Sequence, residues 1–393
     1  MSAILFGLLC FIFVIMSVGS LAALFLFLLE QTSQFFLSHD HLVLLLPLLG
    51  IVTGFTYWLF GKKLPTTKKI LHGVEDQHAL IPFLTALLIF FFTVVSQLVG
   101  ASTGRESSAV QFGAALGDFW REIFDKKLKP LRFSRQAFIR SGLAAGFGAV
   151  FGVPWAGTLF ALEATPSRRW SLRYLPLCWI SSFGAHWIAL WWGAHHKVYP
   201  VFPALPWNLL LIAKWSCLGI AFGVLAKVFV VLMQYSEKTI FGRISWPWLR
   251  PFVGGLAVAA LTLMMKETRY NGLGVPLIDA ALTSGVQTFD FAWKSLFTIL
   301  SSASGLKGGE VTPLMAIGAT FGVTISHWVA LPSLYAASLG LVGVFASASH
   351  IPWTGAVMAW EFFGFEAFLP TFIICWLGRR VLGLHGLFSM KEP

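Results

Sequence analysis

From Ala3 to Leu29 the sequence runs 27 residues without a charged side chain, and Glu30 ends the run. Nothing else in the chain constrains its fold as much. A helix needs about 20 predominantly apolar residues to cross the hydrocarbon core of a bilayer. Leu80 to Ala101 and Leu209 to Met233 meet that requirement as well. Over the whole chain 57% of residues are hydrophobic and 11% are charged, where an ordinary soluble domain carries about 25% charged residues. A soluble protein of this composition would lack the polar side chains to cover its surface. A bilayer removes the need. The reading is an all-α integral membrane protein that spans the lipid bilayer several times. No Lys or Arg precedes the first apolar run, which exceeds the usual length of a signal peptide, so it counts as a membrane helix.

The net charge of +11 raises the question of a nucleic-acid partner. The placement of the basic residues answers it. They cluster in short links between apolar runs: Lys62, Lys63, Lys68 and Lys69, then Arg121 to Arg140, then Arg168, Arg169 and Arg173. Positive residues sit this way in cytoplasmic loops. No soluble module is present to carry a nucleic-acid face. Cys10, Cys178, Cys217 and Cys375 lie singly in apolar segments and form no CxxC pair, so they read as small buried residues rather than a disulfide framework or a zinc site. His186, His195 and His196 stand near Trp-rich sequence with no carboxylate at metal spacing. Neither a metal nor a cofactor is implied.

The sequence repeats internally. Pro154-Trp155-Ala156-Gly157 leads to Glu163, and Pro352-Trp353-Thr354-Gly355 leads to Glu361, an offset of 198. Gly104-Arg105-Glu106 leads to Gly113-x-x-x-Gly117, and Gly308-Gly309-Glu310 leads to Gly318-x-x-x-Gly322, with the two glutamates 204 apart. Small-xxx-small spacing lets membrane helices approach closely. Ser107 to Gly117 and Thr312 to Thr324 read as too short to span. Short interrupted segments at matching positions in two halves point to a transporter site built from broken helices, and inverted topology is the common arrangement. The expected organisation is one transmembrane domain over 1–393, with repeats of about 1–200 and 201–393 and no cytoplasmic regulatory domain.

Each half holds a carboxylate in a Gly-rich stretch followed at once by an apolar helix. A helix start offers unpaired N–H groups and partial positive charge, which makes an anion site. Gly lets the backbone approach an ion without an intervening side chain. Glu106 at one start could compete with an anion for those N–H groups, or take a proton and swing away; the plainer alternative is a capping residue paired with Arg105. An ionisable group inside a membrane is a functional candidate by default. Ser107 and Ser108 are caps or anion ligands. At the other start, Glu310 and the hydroxyl of Thr312 are anion-site candidates, with helix capping as the alternative and Pro313 suited to a first turn. Glu163 and Glu361, ending apolar helical runs, read as structural.

Gly104-Arg105-Glu106, the Val153 to Gly157 stretch through Glu163, and Gly308-Gly309-Glu310-Val311-Thr312-Pro313 resemble the CLC family of anion channels and proton-coupled exchangers in order and spacing, over essentially the whole chain. The resemblance implies a CLC-type fold of two inverted repeats with broken, tilted and re-entrant helices, and a homodimer with one anion pathway per subunit. It implies that Glu106 is the external gating glutamate and proton carrier, with Gly104, Arg105, Ser107 and Ser108 about the anion. Gly-Gly-Glu-Val-Thr-Pro is similar to the fluoride-exporting branch, where the residues matching Glu310 and Thr312 are implicated in coupling and Gly308 and Gly309 precede the helix. The position after Glu163 is Ala164, so the internal proton glutamate of chloride exchangers is absent. Three departures stand out. Ser107 replaces a Gly, Phe388 takes the place of the central pore tyrosine, and the anion loop falls by spacing on Leu64 to Lys69, with Lys68 nearest the anion or snorkelling to the surface.

The function expected is transmembrane movement of a small halide, fluoride export coupled to proton import, in a bacterial inner (plasma) membrane. The alternative is a CLC-type chloride channel or chloride/proton exchanger. An intramembrane enzyme is the reading from another class, and the sequence lacks His-Glu-x-x-His, Gly-x-Ser-x-Gly and paired helical Asp residues.

Overall fold

The computed structural model describes residues 3–61, 64–74, 80–127, 134–165, 172–283 and 285–388. Lys62, Lys63, Arg168, Arg169, positions 128–133 of the Arg121–Arg140 segment and Ser389 lie outside them. The described residues form sixteen α-helices: α1 Ala3–Ser38, α2 Leu46–Phe60, α3 Thr67–Gly73, α4 Phe83–Leu98, α5 Glu106–Lys127, α6 Arg135–Phe151, α7 Pro154–Glu163, α8 Leu175–Trp191, α9 Leu209–Tyr235, α10 Arg250–Met265, α11 Val275–Thr283, α12 Asp290–Ser304, α13 Val311–Val329, α14 Ser333–Ser349, α15 Pro352–Phe363 and α16 Phe368–Leu382. Among the described residues, four helical stretches are long and apolar enough to cross a membrane: Leu9–Ser38, Asp40–Phe60, Leu209–Arg243 and Pro247–Met265. The run read from Leu80 to Ala101 yields a helix of only 16 residues.

The chain divides into two compact units. The first holds residues 1–30, 61–94 and 106–197; the second holds 31–60, 95–105 and 198–393. In the first, α5, α7 and α8 pack around α6, which is buried along all but one of its residues. In the second, α9, α13, α15 and α16 pack around α14, buried from Tyr335 to Ser349. Small residues make both arrangements. A Cβ on Gly113 or Gly117 would collide with the carbonyl of Gly142 or Phe138, and one on Gly318 or Gly322 would collide with that of Gly340 or Ala336. The first members of these pairs recur at an offset of 205 and the second members at 198.

The turn into α7 also recurs. Gly152 ends α6 at φ +75°, Val153 is at φ −127°, and Pro154 opens α7. His350 ends α14 at φ +61°, Ile351 is at φ −120°, and Pro352 opens α15. A left-handed residue stops the helix, and Pro preset for helical φ begins the next.

Two expectations are corrected here. The segments read as Ser107–Gly117 and Thr312–Thr324 are parts of α5, 22 residues long, and α13, 19 residues long, about 33 and 28 Å at 1.5 Å per residue. The drop in hydropathy at Asp118 does not stop α5, because Arg135 of α6 pairs with that carboxylate in the interior. Cys217 is exposed on α9, while Cys10, Cys178 and Cys375 are buried as read.

Candidate functional site

Glu106 is the first residue of α5 and is 1% exposed. The N–H groups of a helix's first turn have no acceptor inside the helix, so this carboxylate lies on the positive end of a 22-residue dipole. Ser107, next along, is 3% exposed, and its hydroxyl has no hydrogen-bond partner among the described residues. A buried hydroxyl left unpaired costs on the order of 1–3 kcal/mol, which a ligand arriving at the helix start would recover. The sequence departure at Ser107 therefore adds a donor where the resemblance implied bare backbone.

Ser108 differs from it. The Thr93 hydroxyl gives its one hydrogen to the carbonyl of Ile89 at 2.6 Å and lies 2.8 Å from the Ser108 hydroxyl. Ser108 must then be the donor to Thr93. Its side chain has no hydrogen left for an anion, so the expectation of Ser108 as a side-chain ligand reduces to its backbone N–H.

Lys68 is half-buried in α3. It is its neighbour Thr67 that the fold ties to α5, through a 2.8 Å hydrogen bond from Gln111 Nε2. Gln111 stands five residues into α5. Sequence spacing pointed at the lysine because of its charge; Thr67 and Gln111 were missed, because nothing in the sequence marks a contact between residues 44 apart.

In the second unit, Gly104 and Gly309 form an isolated antiparallel bridge. The N–H of Gly104 donates to the carbonyl of Gly309, and the N–H of Gly309 to that of Gly104 at 2.8 Å. Gly308 has φ +143°, and a Cβ there would strike the hydroxyl of Thr103. Thr103 donates to the carbonyl of Lys307 and is held by Gln97 Nε2 at 3.1 Å. Gly104, Gly308 and Gly309 are thus brought together, with Arg105 half-buried one residue on.

The bridged glycines are 205 residues apart, as are Glu106 and Val311, the first residues of α5 and α13. The register read in the sequence is therefore corrected by one. Glu310 stands in the place of Arg105, not of Glu106. It precedes the first helical residue, at φ −104°, with no side-chain cap bond. The reason is that the Gly-Gly pair of the second half aligns on Thr103-Gly104. Thr312 is the second helical residue and is 4% exposed. Pro313, the third, has no N–H, so α13 offers fewer backbone donors than α5.

Phe388 is buried beside the turn between α14 and α15, where Leu387 donates to the carbonyl of Ala348 at 2.7 Å and Gly386 lies against His350. Glu163 closes α7 and Glu361 falls two residues from the end of α15, both half-buried. His186 and His196 stack at 5.3 Å, and no group of three metal-ligating side chains occurs among the described residues.

Residues 59–383 match the family described as "Voltage gated chloride channel". The "Chloride/fluoride channel protein" of Pseudomonas syringae pv. tomato is 34% identical over 381 residues, covering 95% of this chain and 83% of that protein. The "H(+)/Cl(-) exchange transporter ClcA" of Yersinia pestis bv. Antiqua is 26% identical over 299 residues, covering 72% of this chain and 62% of the exchanger. Among solved structures, that of a CLC-type fluoride/proton antiporter superposes with a TM-score of 0.91 at 27% identity, covering 98% of this chain and 97% of the other.

Proposed function

The chain belongs to the voltage gated chloride channel (CLC) family, integral membrane proteins that pass anions, and on that premise we propose that it exports fluoride in exchange for protons. The observation that carries the reading is the first turn of α5, where a fully buried carboxylate, Glu106, adjoins the buried unpaired hydroxyl of Ser107. Fluoride is small and strongly hydrated, so removing its water requires dense hydrogen-bond donors. The N–H groups of α5's first turn and the Ser107 hydroxyl supply them. Ionised, Glu106 occupies the anion's place; protonated, it leaves, carrying the proton and admitting the anion.

Glu310 and Thr312 form the coupling set at the start of α13, with the Gly308–Gly309 backbone before it. Arg105 lends positive charge, and Lys68 and Phe388 line the pathway. The likeness to the fluoride/proton antiporter supports fluoride, and the name of the Pseudomonas channel protein includes it beside chloride. The protein acts as a homodimer in a bacterial plasma membrane, one domain per chain with repeats of about 1–200 and 201–393. It carries out transport rather than an enzymatic reaction, and it takes no cofactor.

Liposomes holding purified protein, loaded separately with fluoride and with chloride, test this when ion release and internal pH are followed together. Fluoride release that drives protons uphill with little chloride movement is the expected result. Chloride release without proton movement would replace the reading with that of a passive CLC channel.

A further inference from the structure

Lys294, on α12, is fully buried. Its ammonium donates to the Ser102 hydroxyl at 2.9 Å, the Tyr270 carbonyl at 3.0 Å and the Gly272 carbonyl at 2.8 Å. Those three bonds use all three of its hydrogens. All its partners are neutral. The carboxylate one turn earlier, Asp290, is taken by Arg269 at 2.6 Å, the Tyr270 hydroxyl at 2.9 Å and the Gln287 N–H at 2.9 Å. A buried charge without a counter-ion is costly, and folds keep such groups at functional positions.

Its position gives the function. Ser102 is gripped from three sides: by Lys294, by the Thr298 hydroxyl at 3.0 Å, and through its N–H by the Ser301 hydroxyl at 3.1 Å. Gly100 is held by Asn271 Nδ2 at 2.8 Å and Thr103 by Gln97 Nε2. The Gly104–Gly309 bridge follows. The next residues are Arg105 and Glu106. Glu106 is four positions along the chain from Ser102, a reach of at most about 14 Å. A Cβ on Gly274 would meet Lys294 Cε at 2.8 Å, so the lysine's path is closely fitted.

We propose that Lys294 is a positioning residue for transport: its amino group fixes Ser102, and through it the Gly100–Arg105 segment that leads to Glu106. Lys294 touches neither anion nor proton. It acts through Ser102, and its loss loosens the carboxylate's placement rather than removing a ligand. The inference rests on the transport reading above.

The test is a double-mutant cycle in liposomes of Lys294→Met and Ser102→Ala, reading anion flux and protons moved per anion. Misplacement at a reacting group costs about tenfold or more in rate, so Lys294→Met should lose that much flux and lower the proton-to-anion ratio. Ser102→Ala keeps the lysine and two of its three bonds, so it should fold and keep most of its flux with a lowered ratio. Because the two residues act as one unit, the double variant should be no worse than Lys294→Met alone. A Ser102→Ala protein with the wild-type ratio, or additive losses in the double variant, overturns the proposal; if Lys294→Met does not fold, Ser102→Ala alone decides. A wild-type protein that moves anion without protons sinks the antiport reading instead, and positioning is then judged by non-additivity in flux.

Discussion

Gly104 and Gly309 exchange both backbone hydrogen bonds across a single antiparallel bridge, two residues before α5 and two before α13. Each is followed by a residue that differs in kind from its counterpart, Arg105 in one half and Glu310 in the other, and then by the helix. The bridge fixes the register of both approaches at one point. It gives the halves unequal chemistry on a matched backbone: a carboxylate on the first helical residue of α5, and one just outside α13.

Gly308 is the position where that bridge is most easily broken. Its φ of +143° suits only Gly, and a Cβ would collide with Thr103. Gly308→Ala should cost on the order of 3 kcal/mol. Thermal unfolding in detergent should show a fall of several degrees in Tm, and a Tm within one degree of the wild type would refute the strain argument.

Glu106→Gln keeps the size of the side chain and removes its proton exchange. Proton movement should vanish, since the amide cannot carry a proton. Proton flux at the wild-type ratio to anion in this variant would remove Glu106 from the mechanism.

Ser107 and Ser108 should separate. Ser107→Ala deletes a donor with no partner among the described residues, so stability should hold or rise slightly. Anion affinity by titration calorimetry should fall about 10- to 100-fold, the value of one hydrogen bond to a charged group. Ser108→Ala instead breaks the bond to Thr93 and should cost about 1 kcal/mol of stability with little change in affinity. The reverse pattern would mean the anion site is not on Ser107.

Much of this architecture is legible in the residues. Gly113, Gly117, Gly318 and Gly322 announce close helix pairs, and Pro154 and Pro352 announce the restarted helices, because glycine and proline impose backbone geometry locally. What the sequence hides depends on partners distant in the chain. The continuation of α5 past Asp118 rests on Arg135 donating to that carboxylate. The Ser108 hydroxyl is spent on Thr93, 15 residues earlier. Lys294 looks like an ordinary flanking charge until Ser102, 192 residues away, is found against it. The one-residue register shift is invisible because Gly308-Gly309-Glu310 and Gly104-Arg105-Glu106 match as strings but not as backbones.

Asp118 and Arg135 supply the last prediction. Asp118 accepts from Arg135 Nε at 2.7 Å and Nη2 at 2.8 Å, and from the Ile81 N–H at 2.8 Å, with both charged side chains 3% exposed. One carboxylate thus joins α5, α6 and the entry to α4. Removing one partner of a buried pair leaves the other charge stranded, at a cost of about 3–5 kcal/mol. Arg135→Ala should therefore lower Tm sharply, and Asp118→Ala should do the same while also freeing Ile81. Arg135→Ala with Asp118→Ala strands no charge, so the double variant should be more stable than the sum of the single losses allows. Because α5 carries Glu106 at its other end, 12 residues away, any single variant that survives purification should keep its proton-to-anion ratio even as Tm falls. A variant with normal Tm and an altered ratio would place this pair in the transport mechanism rather than in the frame that holds it.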